Sequence, residues 1–393
     1  MKTVKERLEA NIWKYYLFVA FRYCTFFFMP IIVLFFQEQG LSIVQIMILQ
    51  SVYAISIVIF EVPTGAIADI IGRKKTTGLG ALFVAFAVVQ YIFAQDFMGF
   101  IVADIFYAMG FALTSGADVA LIYDSLKSLG KEKMFTKIRG RANAIGFFAA
   151  AFASISSGWL YSIDIRIPLM VSIVPLLFAM VVAYTMYEPK RVLGVVTFRN
   201  ALGLMADGVR YTATHVKLRW IIIYASGFLA FSRAGFWLYQ PFLVSVGVEI
   251  VYFGIIFAGI NLFVSAGSNW AHLIEERLGE KNSLILISTC MVLSFVFFSF
   301  ESVLFGIVAI VLGQLAFGFS TPVISDYINR HVSSKNRATV LSVSSLSKNI
   351  AIAIVLPFVG FLVEAYSLSD AFLMSAGILF IINIVFYIMR KLI

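Results

Sequence analysis

Gly65-Ala66-Ile67-Ala68-Asp69-Ile70-Ile71-Gly72-Arg73-Lys74-Lys75-Thr76 is a short basic turn set between two long apolar runs, 43–68 and 77–94. A helix that crosses the hydrocarbon core of a bilayer needs about 17–25 mostly apolar residues. Both runs meet that length. Glycine at 65 and 72 permits close helix approach and a tight turn between the two. Asp69 is placed to cap this turn and to pair with Arg73.

Working outward with the same window gives one more span before the turn, 15–36, and nine after it. Four of these complete a first group of six: 15–36 precedes the two flanking runs and 99–123, 142–161 and 167–187 follow 77–94 in order, then the second six begin. The second six are 219–243, 250–271, 283–300, 303–326, 340–363 and 371–389. No stretch shows the roughly 10-residue alternating segments of a membrane barrel. The composition agrees: of 393 residues, 61% are hydrophobic and 13% charged, with a mean hydropathy of +0.95. Soluble domains carry about 25% charged residues. An ordinary soluble enzyme, a disordered chain and a disulfide scaffold are therefore excluded. Cys24 and Cys290 lie far apart in apolar runs and read as packing residues. The basic N-terminus leads into an apolar run too long for a signal peptide, which reads as a retained first span.

The net charge of +9 is explained by topology. Taking the loops alternately, 26 of the 30 Lys+Arg fall on the side shared by both termini and one, Arg166, on the other. The positive-inside rule places both termini in the cytoplasm. The remaining three, Arg22, Arg233 and Lys348, lie inside spans. No nucleic-acid partner is implied. The longest polar interruption, 188–218, opens with Glu188-Pro189-Lys190-Arg191 and continues through Phe198–Met205, a candidate surface helix. It divides the chain into an N-terminal six-helix bundle, 1–187, a cytoplasmic linker, 188–218, and a C-terminal bundle, 219–393. An offset of 202 residues aligns Gly65 with Gly267, Gly116 with Gly318, Asp124 with Asp326 and Gly158 with Gly360, which suggests two parallel repeats.

The turn at 65–76 resembles the loop 2–3 signature of the major facilitator superfamily, G-x-x-x-D-x-x-G-R-[KR]. The resemblance covers the whole chain, with a degenerate second copy at Gly267, Ala271 and Gly279-Glu280-Lys281. It implies an all-α membrane protein with twelve transmembrane helices in two pseudo-symmetric six-helix bundles. It also implies a conformational latch built from Gly65, Asp69, Gly72, Arg73 and Asp124, with the arginine bridging to the acid at the end of span four. The nearest branch is efflux of drugs and other organic compounds. Two of that branch's features are missing here, since Asp104 stands nearest its span-four arginine and span five lacks a Gly-Pro pair.

Ionisable groups within a span are costly and mark a functional site or a buried pair. Arg22, Glu61 and Asp118 lie at comparable depth and are expected to form one network, with Arg22 neutralised by either acid. Asp104, Asp118 and Glu61 are the proton-coupling candidates. Arg22, Phe27, Arg233, Trp237 and Lys348 are the substrate-cavity candidates: the first four lie in spans one and seven, which line the central cavity in the family that the chain resembles, and Lys348 is a charge inside span eleven. His215, His272 and His331 are dispersed in or beside loops, and no HExxH, CxxC, GxSxG or P-loop pattern occurs. No metal, cofactor or enzymatic activity is expected. The resulting expectation is a monomeric secondary transporter of the cell membrane, with the lipid bilayer, a small-molecule substrate and protons as partners. Its preferred activity is proton-coupled export of lipophilic or organic compounds. The alternatives are proton-coupled uptake of a polar metabolite, and a non-transporting receptor or lipid scramblase on the same fold.

Overall fold

The apolar runs fold into helices, as the absence of water in a bilayer core requires of any spanning segment that is not a closed barrel. A computed structural model describes residues 3–189, 198–333 and 336–391. Residues 190–197, within the predicted linker, lie outside the described residues. In chain order the α-helices are α1 (Val4–Arg22), α2 (Ile32–Glu38), α3 (Ile43–Ile71), α4 (Arg73–Phe93) and α5 (Phe97–Thr114). They continue with α6 (Ala117–Ser128), α7 (Phe135–Ile163), α8 (Ile167–Thr185), α9 (Phe198–Thr214) and α10 (Val216–Ser245). The last five are α11 (Phe253–Asn269), α12 (Ala271–Phe298), α13 (Val303–Arg330), α14 (Arg337–Ala365) and α15 (Leu368–Lys391). Short 3-10 turns lie at Tyr23–Phe27, Met29–Ile31, Glu132–Met134 and Ile250–Tyr252. Among the described residues there is no strand. Twelve segments are long and apolar enough to cross a membrane, and they coincide one for one with the predicted spans.

Two spans that read as continuous are interrupted. Span one breaks between α1 and α2, and span four breaks between α5 and α6 at Ser115-Gly116. Gly116 has φ +84°, a left-handed conformation that side chains rarely adopt. Span nine is also preceded by a sharp turn, because α12 kinks at Gly279 with φ +70°. The degenerate second motif thus keeps a left-handed glycine, as Gly72 (φ +106°) does in the first.

The described residues pack into two units. The first comprises Met1–Phe35, Ile55–Ala201 and Ile250–Ala258, and the second Phe36–Ala54, Leu202–Glu249 and Gly259–Ile393. The first unit is centred on Tyr15, Phe18, Leu121, Leu126, Ile138 and Met186, all buried. Small residues let its helices touch backbone to backbone. A methyl group on Gly80 of α4 would lie 2.7 Å from the Gly110 carbonyl of α5, and one on Gly110 would lie 2.7 Å from the Gly80 carbonyl. Gly80→Ala is therefore expected to destabilise the protein by about 1–3 kcal/mol, seen as a lower unfolding midpoint in detergent. An unchanged midpoint would refute the close approach. In the same unit Gly254 meets the Ser154 carbonyl, which seats the start of span eight on α7.

The second unit has an aromatic core. Phe298 stacks on Phe372 at 4.7 Å between ring centres, and Phe242 meets Phe298 edge-on at 4.8 Å. Such pairs add to the area they bury. The first part of α3 joins this unit, where the Val44 N–H donates to the Glu364 carboxylate at 2.8 Å.

Candidate functional site

The breaks in spans one and four place the charges. Arg22 is the last residue of α1, where the helix macrodipole favours a cation, and Asp118 is in the first turn of α6, where it favours an anion. The two side chains meet at 3.6 Å, with Asp118 5% and Arg22 28% exposed. The Asp118 carboxylate also accepts the Val119 N–H at 2.6 Å. Freed carbonyls at the first break are taken up locally, the Thr25 hydroxyl donating to Arg22 O at 3.4 Å and the Cys24 thiol to Ala20 O at 3.5 Å. Arg22 lies 5.9 Å from the ring centres of both Phe18 and Tyr23, a cation–π setting for its guanidinium. Arg139 of α7 and Tyr15 of α1 are within electrostatic range of Asp118.

Glu61 does not join this network. Its side chain is exposed, and among the described residues no cation lies within ion-pair distance of it. Of the two acids considered for Arg22, Asp118 is the partner. Pro63 sits inside α3, and the neighbouring Thr64 hydroxyl bonds to Phe60 O at 2.7 Å and Ala112 O at 3.3 Å, tying α3 to α5.

At the basic turn, Arg73 opens α4. Its guanidinium bonds to the Asp124 carboxylate and, at 2.9 Å, to Ala120 O, joining α4 to α6. The predicted cap is different from the one observed. Both carboxylate oxygens of Glu188 accept backbone N–H groups at the start of α4, from Arg73 and Lys74, each at 2.9 Å. Glu188 occupies the place expected for Asp69, because an anion at a helix N-terminus satisfies otherwise unpaired donors there. Asp69 is half-buried, and Arg73 pairs with Asp124 instead. Gly65 is exposed at this end of α3.

Asp104 of α5 is 2% exposed. One of its oxygens accepts the Tyr91 hydroxyl of α4, and among the described residues its other oxygen has no hydrogen-bond partner. A buried polar atom left unpaired is costly and calls for a functional explanation.

In the second unit, Arg233 lies on α10 and Lys348 on α14, and these helices pack along one another. The Ser226 hydroxyl donates to the Ser347 hydroxyl at 2.9 Å. Lys348 follows Ser347 directly, and Arg233 lies two turns beyond Ser226, about 10 Å along the axis. Arg233 is accessible although its neighbours Ser232 and Ala234 are buried. Tyr53 is close enough to interact with it electrostatically. Among the described residues neither cation has an acidic side chain within 4 Å. Trp237, one turn beyond Arg233, is buried at 8% exposure, and Phe27 in the broken part of span one is half-buried. Among the described residues no three His, Cys, Asp or Glu side chains gather in a way that could hold a metal ion.

The family model for the Major Facilitator Superfamily matches residues 16–305 and 270–392. The chain belongs to the major facilitator superfamily. As a superfamily member with twelve candidate membrane-crossing segments, it is a multi-pass membrane protein with a transporter fold. It is 23% identical over 378 residues to the uncharacterized MFS-type transporter YxaM of Bacillus subtilis (strain 168), covering 93% of this chain and 92% of that one. The nucleoside transporter NupG superposes with a TM-score of 0.81 at 15% identity, covering 99% of this chain and 100% of that one. A bacterial homolog of the human lysosomal transporter Spinster, solved inward-facing and unoccupied, gives a TM-score of 0.72 at 16% identity, covering 99% and 96%. At these identities the solved structures support the fold alone.

Glu188 and Arg139 are the site residues that sequence reasoning missed. Glu188 stands 115 residues from the helix start it caps, and Arg139 was counted with the loop cations. The Ser115-Gly116 pair in mid-span was the available signal for the break beside Asp118.

Proposed function

We propose that this protein is a proton-coupled secondary transporter that works by alternating access and exports an organic small molecule from the cell. The observation that supports this reading is a set of ionisable side chains inside the spans of a superfamily member: Arg22 with Asp118, Asp104 with Tyr91, and the cations Arg233 and Lys348. Two six-helix halves, 1–187 and 219–393, rock about a midplane site with the 188–218 linker and both termini in the cytoplasm. Asp104 and Asp118 carry the coupling proton, and the turn built on Gly65, Asp69, Gly72, Arg73 and Asp124 acts as the latch. The protein works as a monomer in the cell membrane.

Arg233 and Lys348 bear on the substrate. Two intramembrane cations that have no acidic partner among the described residues require neutralisation, and a substrate bearing a carboxylate or phosphate supplies it. The same pair favours a second reading, proton-coupled uptake of a polar anionic metabolite, over carriage of a neutral lipophile. A thermal-shift screen of organic anions, cations and neutral compounds on the purified protein tests the substrate class, since a ligand at about 100 times its Kd stabilises by about 2.7 kcal/mol. Organic anions are expected to raise the midpoint, and Arg233→Ala with Lys348→Ala to remove the effect. Stabilisation by cations alone would overturn the assignment. Flux of a stabilising anion in sealed vesicles, measured against an imposed pH gradient of either sign, separates export from uptake. Indifference to the gradient would refute proton coupling.

A further inference from the structure

Two cavities in the second unit, outside the groups discussed above, share a wall. One, of about 200 Å³, is lined by Lys217, Trp220, Glu280, Leu284, His331 and Phe386. The other, of about 380 Å³, runs between α10, α12 and α15 past Leu284, Ile285, Val292, Phe380, Ile384 and Phe386, with Lys281 among its lining residues. Leu284 and Phe386 line both, so the two cavities adjoin across these side chains and differ in chemistry. The volume of the larger is in the range of small-ligand sites.

The smaller cavity holds a lysine and an indole donor beside one carboxylate. Lys217, near the start of α10, lines it, and Lys281, just past the Gly279 kink of α12, lines the adjoining cavity; both are exposed. The carboxylate there, Glu280, lies 3.7 Å from the His331 ring and faces that residue. Trp220 lines the cavity, and its indole N–H is buried and among the described residues has no acceptor. An indole nitrogen can only donate, and a buried donor without an acceptor is costly. An anionic oxygen placed between Trp220 and the lysines satisfies it.

The larger cavity is built for a hydrocarbon chain. Ile285, Leu293, Phe380 and Ile384 are 40–55% exposed at its mouth. Its floor is fixed, since the Tyr224 hydroxyl is held by Leu284 O at 2.8 Å and the Ser288 hydroxyl at 2.7 Å while its ring packs 4.8 Å from Phe386. An apolar mouth of this kind opens onto acyl chains in a bilayer. Basic pockets between transmembrane helices are the usual receptors of anionic lipid head groups.

We infer that the two adjoining cavities act as one groove that binds an anionic phospholipid, its phosphate on Lys217, Lys281 and the Trp220 indole N–H and one acyl chain along α12 and α15. The site is separate from Arg233 and Lys348 and stands whether or not the transport reading holds.

Native mass spectrometry of the detergent-purified protein, titrated with phosphatidylglycerol against phosphatidylcholine of equal chain length, tests it directly. Phosphatidylglycerol is expected to occupy one saturable site in preference. Lys217→Gln and Lys281→Gln are each expected to weaken it about fivefold, the ratio that about 1 kcal/mol per basic residue represents. Trp220→Phe, which removes the N–H and keeps the ring, is expected to weaken it similarly. Val292→Trp, which fills the apolar part, is expected to abolish retention of the lipid while inorganic phosphate alone binds neither variant nor wild type measurably. Equal binding of the two lipids by the wild type would overturn the inference without reference to any variant. Undiminished phosphatidylglycerol binding in the Lys217→Gln, Lys281→Gln and Trp220→Phe variants would also overturn it, as would tight binding of phosphate without a chain.

Discussion

Asp118→Ala is expected to abolish transport and to destabilise the protein by about 2–3 kcal/mol. Removing one member of a buried ion pair leaves the other charged and unpartnered, which ordinarily costs about 3–5 kcal/mol. Arg22 keeps 28% exposure, so solvent screening moves the expectation below that range. Two further losses accompany the charge. The start of α6 forfeits the carboxylate that accepts the Val119 N–H, and the end of α1 is no longer joined to α6. The double variant Arg22→Gln with Asp118→Asn separates packing from proton carriage. Neutral polar groups are expected to restore most of the unfolding midpoint, because the pair is then replaced without leaving a buried charge. Transport in the double variant is expected to remain uncoupled from the proton gradient. Full gradient-driven activity there would reduce Asp118 to a structural residue.

Arg73→Ala is expected to shift the inward/outward equilibrium by about 10–100-fold, as follows from about 1.5–3 kcal/mol for hydrogen bonds to a charged group. The guanidinium holds both the Asp124 carboxylate and Ala120 O, so the substitution disconnects α4 from α6 at one point. Cysteine accessibility from the two sides of the membrane, measured in sealed vesicles, reads the equilibrium. Glu188→Gln is the informative companion. It retains an acceptor for the α4 N–H groups but loses the charge, and is expected to lower stability by about 0.5–1 kcal/mol with the Arg73–Asp124 pair intact. Equal accessibility patterns in wild type and Arg73→Ala would remove the latch from the mechanism.

The number of spans was legible because hydropathy is additive along a chain: each run needs only length and few charges, and all twelve segments appear. What hydropathy does not register is the path of the backbone within a run. Tyr23–Ile31 is as apolar as continuous helix, and Ser115-Gly116 is too short to lower the hydropathy of its window, yet both spans are interrupted there, and those interruptions orient Arg22 and Asp118. The comparable depth of Arg22, Glu61 and Asp118 was readable from position, whereas the choice between the two acids depended on which way each helix turns. Asp69 and Glu188 show the same limit. Local spacing pointed to the nearest acid, and the cap arrived from 115 residues away. The indole of Trp220 carried no sequence signal, since its unsatisfied N–H exists only once its neighbours are packed.

The pairing of Arg22 with Asp118 has a bearing on how the chain is made. Arg22 enters the membrane 96 residues ahead of the acid that neutralises it, an interval of about 5–20 seconds at a synthesis rate of about 5–20 residues per second. During that interval the first span must be retained by the bilayer while it carries a charge that disfavours insertion by about 2.5–3.5 kcal/mol at the helix centre. The aromatic and aliphatic residues around it, Phe26, Phe27, Phe28 and Ile31 to Phe36, provide the opposing term. Arrival of span four supplies the neutralising partner, so loss of Asp118 is expected to lower the amount of inserted protein as well as its transport.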